Sequence, residues 1–598
     1  MVETINQLLL NTIKSFPKDD LMLHKKEGQY VPISTEEFAN KVRNLSLGLK
    51  DLGIEAGDKL IILSETRSEW VMMDFANLCL GGITVPIYTT LVPEQIKYII
   101  DNSDAKVVVC SNQELWQKVE AVKSELTKVV HYISFEPDAA EGVLTLTEVL
   151  EKGDKIAQEN PDLFEKMALA SKPDDTVSII YTSGTTGPPK GVMLTHSNFI
   201  SNVKAVANIL EISDKDTMLS FLPLSHVFER MATFTYLYIG ASIGYAESME
   251  TVPQNWLEIR PTVMTAPPRL FEKLYAKVLE SALSSSPLKR KIFFWAIKVG
   301  KKYGENKLTK QPISRWLQFK KNLAHKLVFS KIIEKTGGRF RFFISGSAPL
   351  SKDIAEFFHA IGLLVLEGYG LTETSPAITV NTFENLKFGA VGKPIPEVEV
   401  RIAEDGEILT RGPHIMKGYY KMERETAEVM EGGWFHTGDI GYLDEEGFLV
   451  ITDRKKDIIV TSGGKNVAPQ PIENLLKMNP YISNVMVIGD KKKFISALVV
   501  PEFEKLEEYA KSSGITYENP SDLTKKEEIL NFMLAEVDRS SSSLASFERI
   551  KKIALLDREF EIEEGEMTPT LKVKRNIVEE KYKDLIESFY KEQGRNFP

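Results

Sequence analysis

The chain has 598 residues, 43% hydrophobic and 26% charged, with a formal net charge of −10. That composition excludes disordered and fibrous classes, and because single cores rarely grow past about 250 to 300 residues it implies more than one domain. Two cysteines, Cys79 and Cys110, lie in apolar runs without CxxC spacing, which excludes a secreted disulfide framework and sets the expectation of a reducing, cytoplasmic location.

The start, Met1 to Leu10, lacks a basic stretch followed by an apolar core and a small-residue cleavage site, so no secretion signal is expected. Ser34-Thr35-Glu36-Glu37 has the form of a capping box and predicts a helix running to about Leu52, stopped by Gly53. Apolar runs then alternate with helical periodicity. Strands are expected at Lys59 to Ser64, Ile83 to Tyr88 and Ala105 to Cys110, with helices at Glu69 to Leu80 and Glu94 to Asp101. Repeated βαβ units of this kind imply a mostly parallel sheet with helices on its faces, an α/β fold. The most apolar stretch, Trp70 to Tyr88, is interrupted by Asp74, Asn77 and Gly81-Gly82, and so predicts a buried helix and strand rather than a membrane span.

A β-branched run, Thr176 to Tyr181, leads into Thr182-Ser183-Gly184-Thr185-Thr186-Gly187-Pro188-Pro189-Lys190. Gly184 and Gly187 let backbone N–H groups approach anionic oxygens, Thr182, Ser183, Thr185 and Thr186 add hydroxyl donors, and Lys190 adds one positive charge. Those are the donors a polyphosphate wants. Pro189 before the lysine and Gly191 after it exclude the usual P-loop pattern. A plain surface turn is the alternative for any Gly/Ser/Thr/Pro cluster, but here an entering strand, two glycines, four hydroxyls and a lysine coincide.

Further extended runs, Thr217 to Leu222, Thr262 to Ala266 and Phe340 to Ser345, end in Pro, Ser or Gly, and ligand groups gather at such strand ends. Leu288 to Phe340 departs from the acidic average: fifteen Lys or Arg stand against Glu305 and Glu334. Phe293, Phe294, Trp295, Trp316, Phe319 and Phe329 recur within it at roughly helical spacing. Two roles fit a basic amphipathic helix pair: peripheral contact with an anionic lipid surface at the inner face of the membrane, or a surface insertion whose apolar stripe packs on the core. Nucleic acid is not expected as a partner, because no reader motif accompanies the charge.

Beyond Phe388 the style becomes Gly/Pro-punctuated, with strands expected at Val398 to Ile402, Glu407 to Thr410, Gly441 to Asp444 and Phe448 to Ile451, a smaller β subdomain. The charged segment Asp453-Arg454-Lys455-Lys456-Asp457 is followed by a fresh α+β pattern. It is either a solvated loop or an interdomain hinge. The expected organisation is a large N-terminal domain over residues 1–453, with a basic helical insertion at about 281–339, and a small mobile α+β domain over 454–598 hinged at 453–457.

Four more motifs follow the hydroxyl-rich loop in order: Ser345-Gly346-Ser347-Ala348-Pro349, Glu367-Gly368-Tyr369-Gly370-Leu371-Thr372-Glu373-Thr374, Thr437-Gly438-Asp439, and Asp453-Arg454 with Ser462-Gly463-Gly464-Lys465-Asn466. Together they resemble the adenylate-forming enzymes, the superfamily of acyl-CoA synthetases, luciferases and adenylation domains, over about residues 30 to 580. Leu222-Pro-Leu-Ser-His226-Val-Phe-Glu-Arg230 and Met567-Thr-Pro-Thr-Leu-Lys572-Val-Lys-Arg575 most closely resemble the long-chain fatty acid branch. The resemblance implies a ligase that makes acyl-AMP from ATP and a fatty acid, then passes the acyl group to coenzyme A. Loading of a carrier-protein thiol, and a noncatalytic lipid- or nucleotide-binding protein, are the alternatives. A homodimer is compatible with either.

By the same resemblance, the loop from Thr182 to Lys190 wraps the β- and γ-phosphates and Glu373 holds a magnesium ion. Thr372 sits by the α-phosphate. The backbone of Gly346, Ser347 and Ala348, with Gly368, Tyr369 and Gly370, encloses adenine, and Asp439 takes the ribose hydroxyls with Arg454 beside it. Lys456 is the hinge position, while Gly463 and Lys465 belong to the loop that meets the pantetheine arm. His226 falls beside the acyl carboxylate, although a core histidine satisfied by a hydrogen bond reads the same way. Lys572 matches the charge-stabilising lysine of adenylation; side-chain chemistry alone does not choose it over Lys574 and Arg575. Arg230 stands where a bacterial long-chain relative type has a tryptophan gate, so the pattern departs there.

Overall fold

The computed structural model describes residues 2–137, 140–182, 188–542, 544–562, 564–568 and 572–591. Two large sheets face one another across a layer of helices. In the first, strands run in the spatial order Lys393–Pro394, Ala377–Val380, Leu364–Gly370, Phe342–Ser345, Val263–Ala266, Thr217–Ser220, Ser242–Tyr245, Met22–Lys26, Gln29–Ile33. In the second the order is Gly418–Tyr419, Lys190–Thr195, Thr176–Thr182, Ile83–Ile87, Lys59–Leu63, Val107–Cys110, His131–Ser134, Leu144–Thr145. The central pairings of both are parallel and the antiparallel ones lie toward the edges. The expectation of an α/β protein is met.

Local sequence explains the elements. Ser34 caps the Thr35–Asp51 helix by accepting from the Glu37 amide, and Gly53 at φ 78° ends it. The Glu37 carboxylate turns to Lys41, 2.7 Å away, so the capping box is used in one direction. The Ser68–Cys79 helix touches strands of both large sheets, which is why Trp70, Met73 and Phe75, and with them the polar Asp74 and Asn77, are buried on every face. It leads into the Ile83–Ile87 strand, as the interrupted apolar stretch predicts. Cys79 and Cys110 are buried free thiols.

A four-stranded antiparallel sheet, Glu399–Ile402, Glu407–Arg411, Phe435–Leu443 and Leu449–Arg454, forms the β subdomain. Two of its strands differ from expectation: one starts at Phe435 rather than Gly441, and the other runs on to Arg454 rather than ending at Ile451. Asp439 is therefore mid-strand and pairs in register with Arg454.

Beyond this sheet a second core forms around Ile482–Ile488, Ser496–Pro501 and Lys552–Leu555. Strand alternation divides it: Val485 and Val487 face the helices Pro469–Leu476 and Glu527–Ser540, whereas Met486 and Ile488 face Arg575–Lys581 and Lys583–Tyr590. Both faces are apolar because both are covered.

The basic segment is helical: Pro287–Leu308, Arg315–Ala324, a π turn at His325–Phe329 and Ser330–Glu334. Phe293, Ala296, Val299 and Phe329 enter the core with Phe357 and Phe358. Gly300 lets the helix lie close on its neighbour, since an added Cβ there would stand 2.4 Å from the Ala360 carbonyl oxygen. Among the described residues no helix is long and apolar enough to cross a membrane.

Candidate active site

The hydroxyl-rich loop is carried by a hairpin. Thr182 pairs with Lys190 and Tyr181 with Gly191 across it, so Thr182 and Lys190 stand at its open end. Ser183, Gly184, Thr185, Thr186 and Gly187 lie outside the described residues. Lys190 places its ammonium 4.8 Å from the centre of the Tyr419 ring, and the Tyr419 hydroxyl donates to Glu373 Oε1 at 2.9 Å. A cation, a phenol and a carboxylate from three distant segments are thus linked at the open end of the hairpin. Burial and the Glu373 carboxylate raise the Tyr419 phenol, so it stays a donor.

Two parallel strands present the next group. Ser345 is in register with Glu367, so Gly346 to Ala348 and Gly368 to Gly370 emerge together where the Phe342–Ser345 strand ends. Carboxyl ends of parallel strands are where α/β sheets bind ligands. Gly346 lies against the Phe228 ring, and Ser347 turns the chain at φ 70°. Gly370 can only be glycine, because an added Cβ would overlap the Pro376 carbonyl at 1.6 Å. Thr372 and Glu373 follow in a 3-10 turn, Thr372–Thr374.

Asp439 joins these strands to the β subdomain. Its Oδ2 accepts from the Tyr369 hydroxyl at 2.7 Å and its Oδ1 from Arg454 Nε at 2.9 Å. Burial, then the Asp439 charge, raises the Tyr369 phenol, and Asp439 raises the Arg454 guanidinium, so both remain protonated donors. Each carboxylate oxygen keeps a second lone pair for a ligand hydroxyl.

Lys572 comes from the C-terminal core and meets this cluster. It is open to water, yet stands close enough to Arg454, Asp439 and Asp457 for their charges to act on its ammonium, and to His226 for that ammonium to act on the ring. Crowding by protein and then Arg454 lower its ammonium to about 8, opposed by Asp439 and Asp457. Because water still reaches it, its charge survives at neutral pH. Arg575 is committed elsewhere: it donates to Glu473 at 2.7 Å and to the Val487 carbonyl at 2.6 Å. Lys574 is the cap residue of the Arg575–Lys581 helix and is half-buried. Of the three cations, the structure brings Lys572 to the cluster.

His226 is the cap of the Val227–Ile239 helix, its Nδ1 accepting from the Phe228 amide at 3.1 Å. That bond assigns the proton of the neutral ring to Nε2. Burial, then Lys572, lowers its pKa to about 4, so at neutral pH it is an uncharged donor. The reading of a histidine satisfied by a local hydrogen bond is met through Nδ1.

Gly463 and Lys465 are not brought to this cluster. Ser462 donates to the Lys492 carbonyl and Lys465 lies over Phe547, both within the C-terminal core. Among the described residues nothing lies within 4 Å of a Cβ built on Gly463. In the charged segment, Asp453 is buried and raised to about 6 by that burial, and Lys455 is ion-paired with Asp405 at 2.6 Å and Glu407 at 2.9 Å. Lys456 is exposed just beyond that anchor.

Arg230 departs furthest from a gate. Its side chain is 1% exposed, donates from Nε and Nη2 to Asp74 at 2.9 and 2.6 Å and from Nη1 to Ser178, and is ringed by Trp70, Phe199 and Phe234. Sequence reasoning missed Tyr419, Phe228 and the burial of Glu367. Glu367 is buried, raised to about 8 by burial, and its Oε1 has no hydrogen-bond partner among the described residues. Its motif was the available signal; Tyr419 has none, because Glu373 and Lys190 lie some 50 and 230 residues away in sequence, the lysine brought near by sheet pairing and the carboxylate by a 3-10 turn of another segment.

The fold and this cleft define the adenylate-forming class of enzymes. Residues 11–420 match the AMP-binding enzyme family and residues 456–594 match the AMP-binding enzyme C-terminal domain, so the chain belongs to the AMP-binding enzyme family. A long-chain-fatty-acid–CoA ligase, FadD15 of Mycobacterium bovis, is 35% identical over 570 residues, covering 95% of this chain and 94% of the relative. Fatty acyl-CoA synthetase A of Dictyostelium discoideum is 32% identical over 610 residues, covering 97% and 89%. Among solved structures, the adenylation domain of a carboxylate reductase from Mycobacterium chelonae superposes with a TM-score of 0.75 at 22% identity, covering 98% of this chain and 91% of that one. The anthranilate CoA ligase AuaEII bound to anthranoyl-AMP gives 0.72 at 18% identity, covering 98% of each chain. At such identities these structures speak for the fold alone.

Proposed function

We propose that this chain is an AMP-forming ligase that joins a long-chain fatty acid to coenzyme A. The observation that carries the reading is the meeting of Lys572 with Asp439, Arg454 and His226, contributed by three parts of the chain. Full-length relatives named as long-chain-fatty-acid CoA ligases supply the substrate class.

In the first half-reaction a carboxylate oxygen bonds to the α-phosphorus of ATP while the bond to the β-bridging oxygen breaks and pyrophosphate leaves. Two anions must approach, so charge neutralisation dominates the barrier. Lys572 bridges the carboxylate and the α-phosphate, and His226 donates from Nε2 beside them. Thr372 stands by the α-phosphate. Asp439 accepts from the ribose hydroxyls, while Tyr369 and the Gly346 to Ala348 backbone enclose adenine.

Among the described residues no cluster of three His, Cys, Asp or Glu offers a closed metal cage. Glu373, held by Tyr419, offers one carboxylate beside the phosphate loop, which fits magnesium, an ion that keeps waters and takes few protein ligands. Bound there, it supplies neutralisation of the phosphate charge.

In the second half-reaction the coenzyme A sulfur bonds to the acyl carbon and the carbon–oxygen bond to AMP breaks. Rotation about Lys456 brings the Gly463 to Lys465 loop in place of Lys572. The 1–453 and 454–598 units are the moving bodies in this scheme, and a cytoplasmic location suits both nucleotide substrates.

The test is a chain-length series of fatty acids assayed for acid-dependent exchange of pyrophosphate into ATP and for acyl-CoA. Exchange and thioester formation with long-chain acids are expected. Exchange without acyl-CoA, but with transfer to a holo carrier protein, would replace the acceptor. No exchange with any acid would leave a binding protein.

A further inference from the structure

The basic insertion buries one apolar stripe and leaves another uncovered. Trp316, Phe319, Leu323 and Leu327 recur at helical spacing along the Arg315–Ala324 helix and its π turn, and each is between 38% and 63% exposed. Trp316 and Phe319 stack with ring centres 5.5 Å apart and planes within 8°, and Lys320 holds its ammonium 5.1 Å from the Trp316 ring. Neighbouring cations keep their charge free. Lys301 and Lys302 have carboxylate partners, but among the described residues no ion pair holds Arg315, Lys320, Lys326 or Lys331.

Core packing does not explain this stripe, since the insertion's buried residues in that core are Phe293, Ala296, Val299, Ala324 and Phe329, with Leu317 packed against them, and none of the four stripe residues belongs to it. A water-exposed row of aromatic and leucine side chains flanked by lysines is an interfacial helix by chemistry: rings enter the headgroup boundary while ammonium groups reach anionic lipid. The charge contrast is specific to this segment, fifteen basic residues against two acidic ones in a chain of net charge −10. A like-charged membrane would repel the rest of the molecule and attract this face.

We propose that the Trp316–Phe319–Leu323–Leu327 face docks the protein on an anionic lipid bilayer. Gly300 packs closely on Ala360, so the insertion is held against the core and docking through it would orient the enzyme on the bilayer. The inference does not depend on the reaction proposed above, because it rests on residues outside the cleft.

The experiment is flotation of the full chain with vesicles of phosphatidylcholine alone and of phosphatidylcholine mixed with phosphatidylglycerol. Binding to the anionic vesicles that weakens with salt is expected, at about fivefold in partitioning for each basic residue near the surface. Trp316→Ala with Phe319→Ala, and separately Lys320→Glu with Lys326→Glu, should each reduce it more than about tenfold. Unchanged circular dichroism and melting temperature would show that the variants fold. Equal binding to both vesicles, no binding, or binding that either variant leaves intact would overturn the proposal. So would a concentration-dependent dimer in analytical ultracentrifugation that the Trp316→Ala, Phe319→Ala variant abolishes, since the face would then belong to a second copy.

Discussion

Two arginine–aspartate pairs stand at opposite ends of burial in this molecule. Arg230 and Asp74 are each 1% exposed and sealed among Trp70, Phe199 and Phe234, whereas Arg454 keeps 44% of its side chain open beside Asp439. The hydrogen-bond chemistry is similar, with Nε donating at 2.9 Å in both. What differs is access. The sealed pair has no face for a ligand and serves to tie the Val227–Ile239 helix to the Ser68–Cys79 helix and the Thr176–Thr182 strand. The open pair leaves Asp439 with spare lone pairs at a cleft that Lys572 shares. Residue type therefore does not separate a sealed ion pair from one open to a ligand; burial does.

Breaking each pair should expose this division. The largest effect is expected from Asp74→Ala, which strands the Arg230 charge in the core and should cost about 3 to 5 kcal/mol in denaturant unfolding. Asp439→Ala should lose well under that in stability and instead weaken ATP binding, read as a raised KM for ATP; a stability loss equal to that of Asp74→Ala would erase the distinction.

Lys572→Ala should slow acyl-AMP formation about a hundred- to a thousandfold while sparing thioester formation from supplied acyl-AMP. Equal loss of both half-reactions would contradict its assignment. The same residue gives a pH dependence. Its ammonium is lowered to about 8, so the charged form prevails below that pH, and kcat/KM for adenylation should fall as pH rises through about 8. Lys572→Arg should move that fall to higher pH.

Tyr419→Phe removes the donor to Glu373 and should cost about 1.5 to 3 kcal/mol in transition-state stabilisation, seen as a higher magnesium requirement. The smallest effect on the first step is expected from Lys456→Pro, which should impair thioester formation more than adenylation in separate half-reaction assays. Equal impairment would remove Lys456 from the hinge.

Much of this was legible in sequence because it is local. The Ser34 cap, the alternation of strands and helices, the buried helix at Ser68–Cys79 and the order of the glycine- and hydroxyl-rich motifs all depend on neighbours within a few residues. Strand ends were less legible. Asp439 lies before the expected strand start at Gly441 and is mid-strand in the structure, because its pairing with Arg454 is set by a partner strand and not by its own segment.

The sequence by itself determined the fold class, the family motifs and the presence of a basic amphipathic insertion, since composition, periodicity and short-range spacing are carried by adjacent residues. Only the tertiary structure decided that Lys572 stands within charge-charge range of Asp439 while Arg575 is committed to Glu473, that Tyr419 couples Lys190 to Glu373, and that Phe293 is covered while Trp316 is bare. Periodicity defines a face, but what covers that face depends on segments far away in the chain.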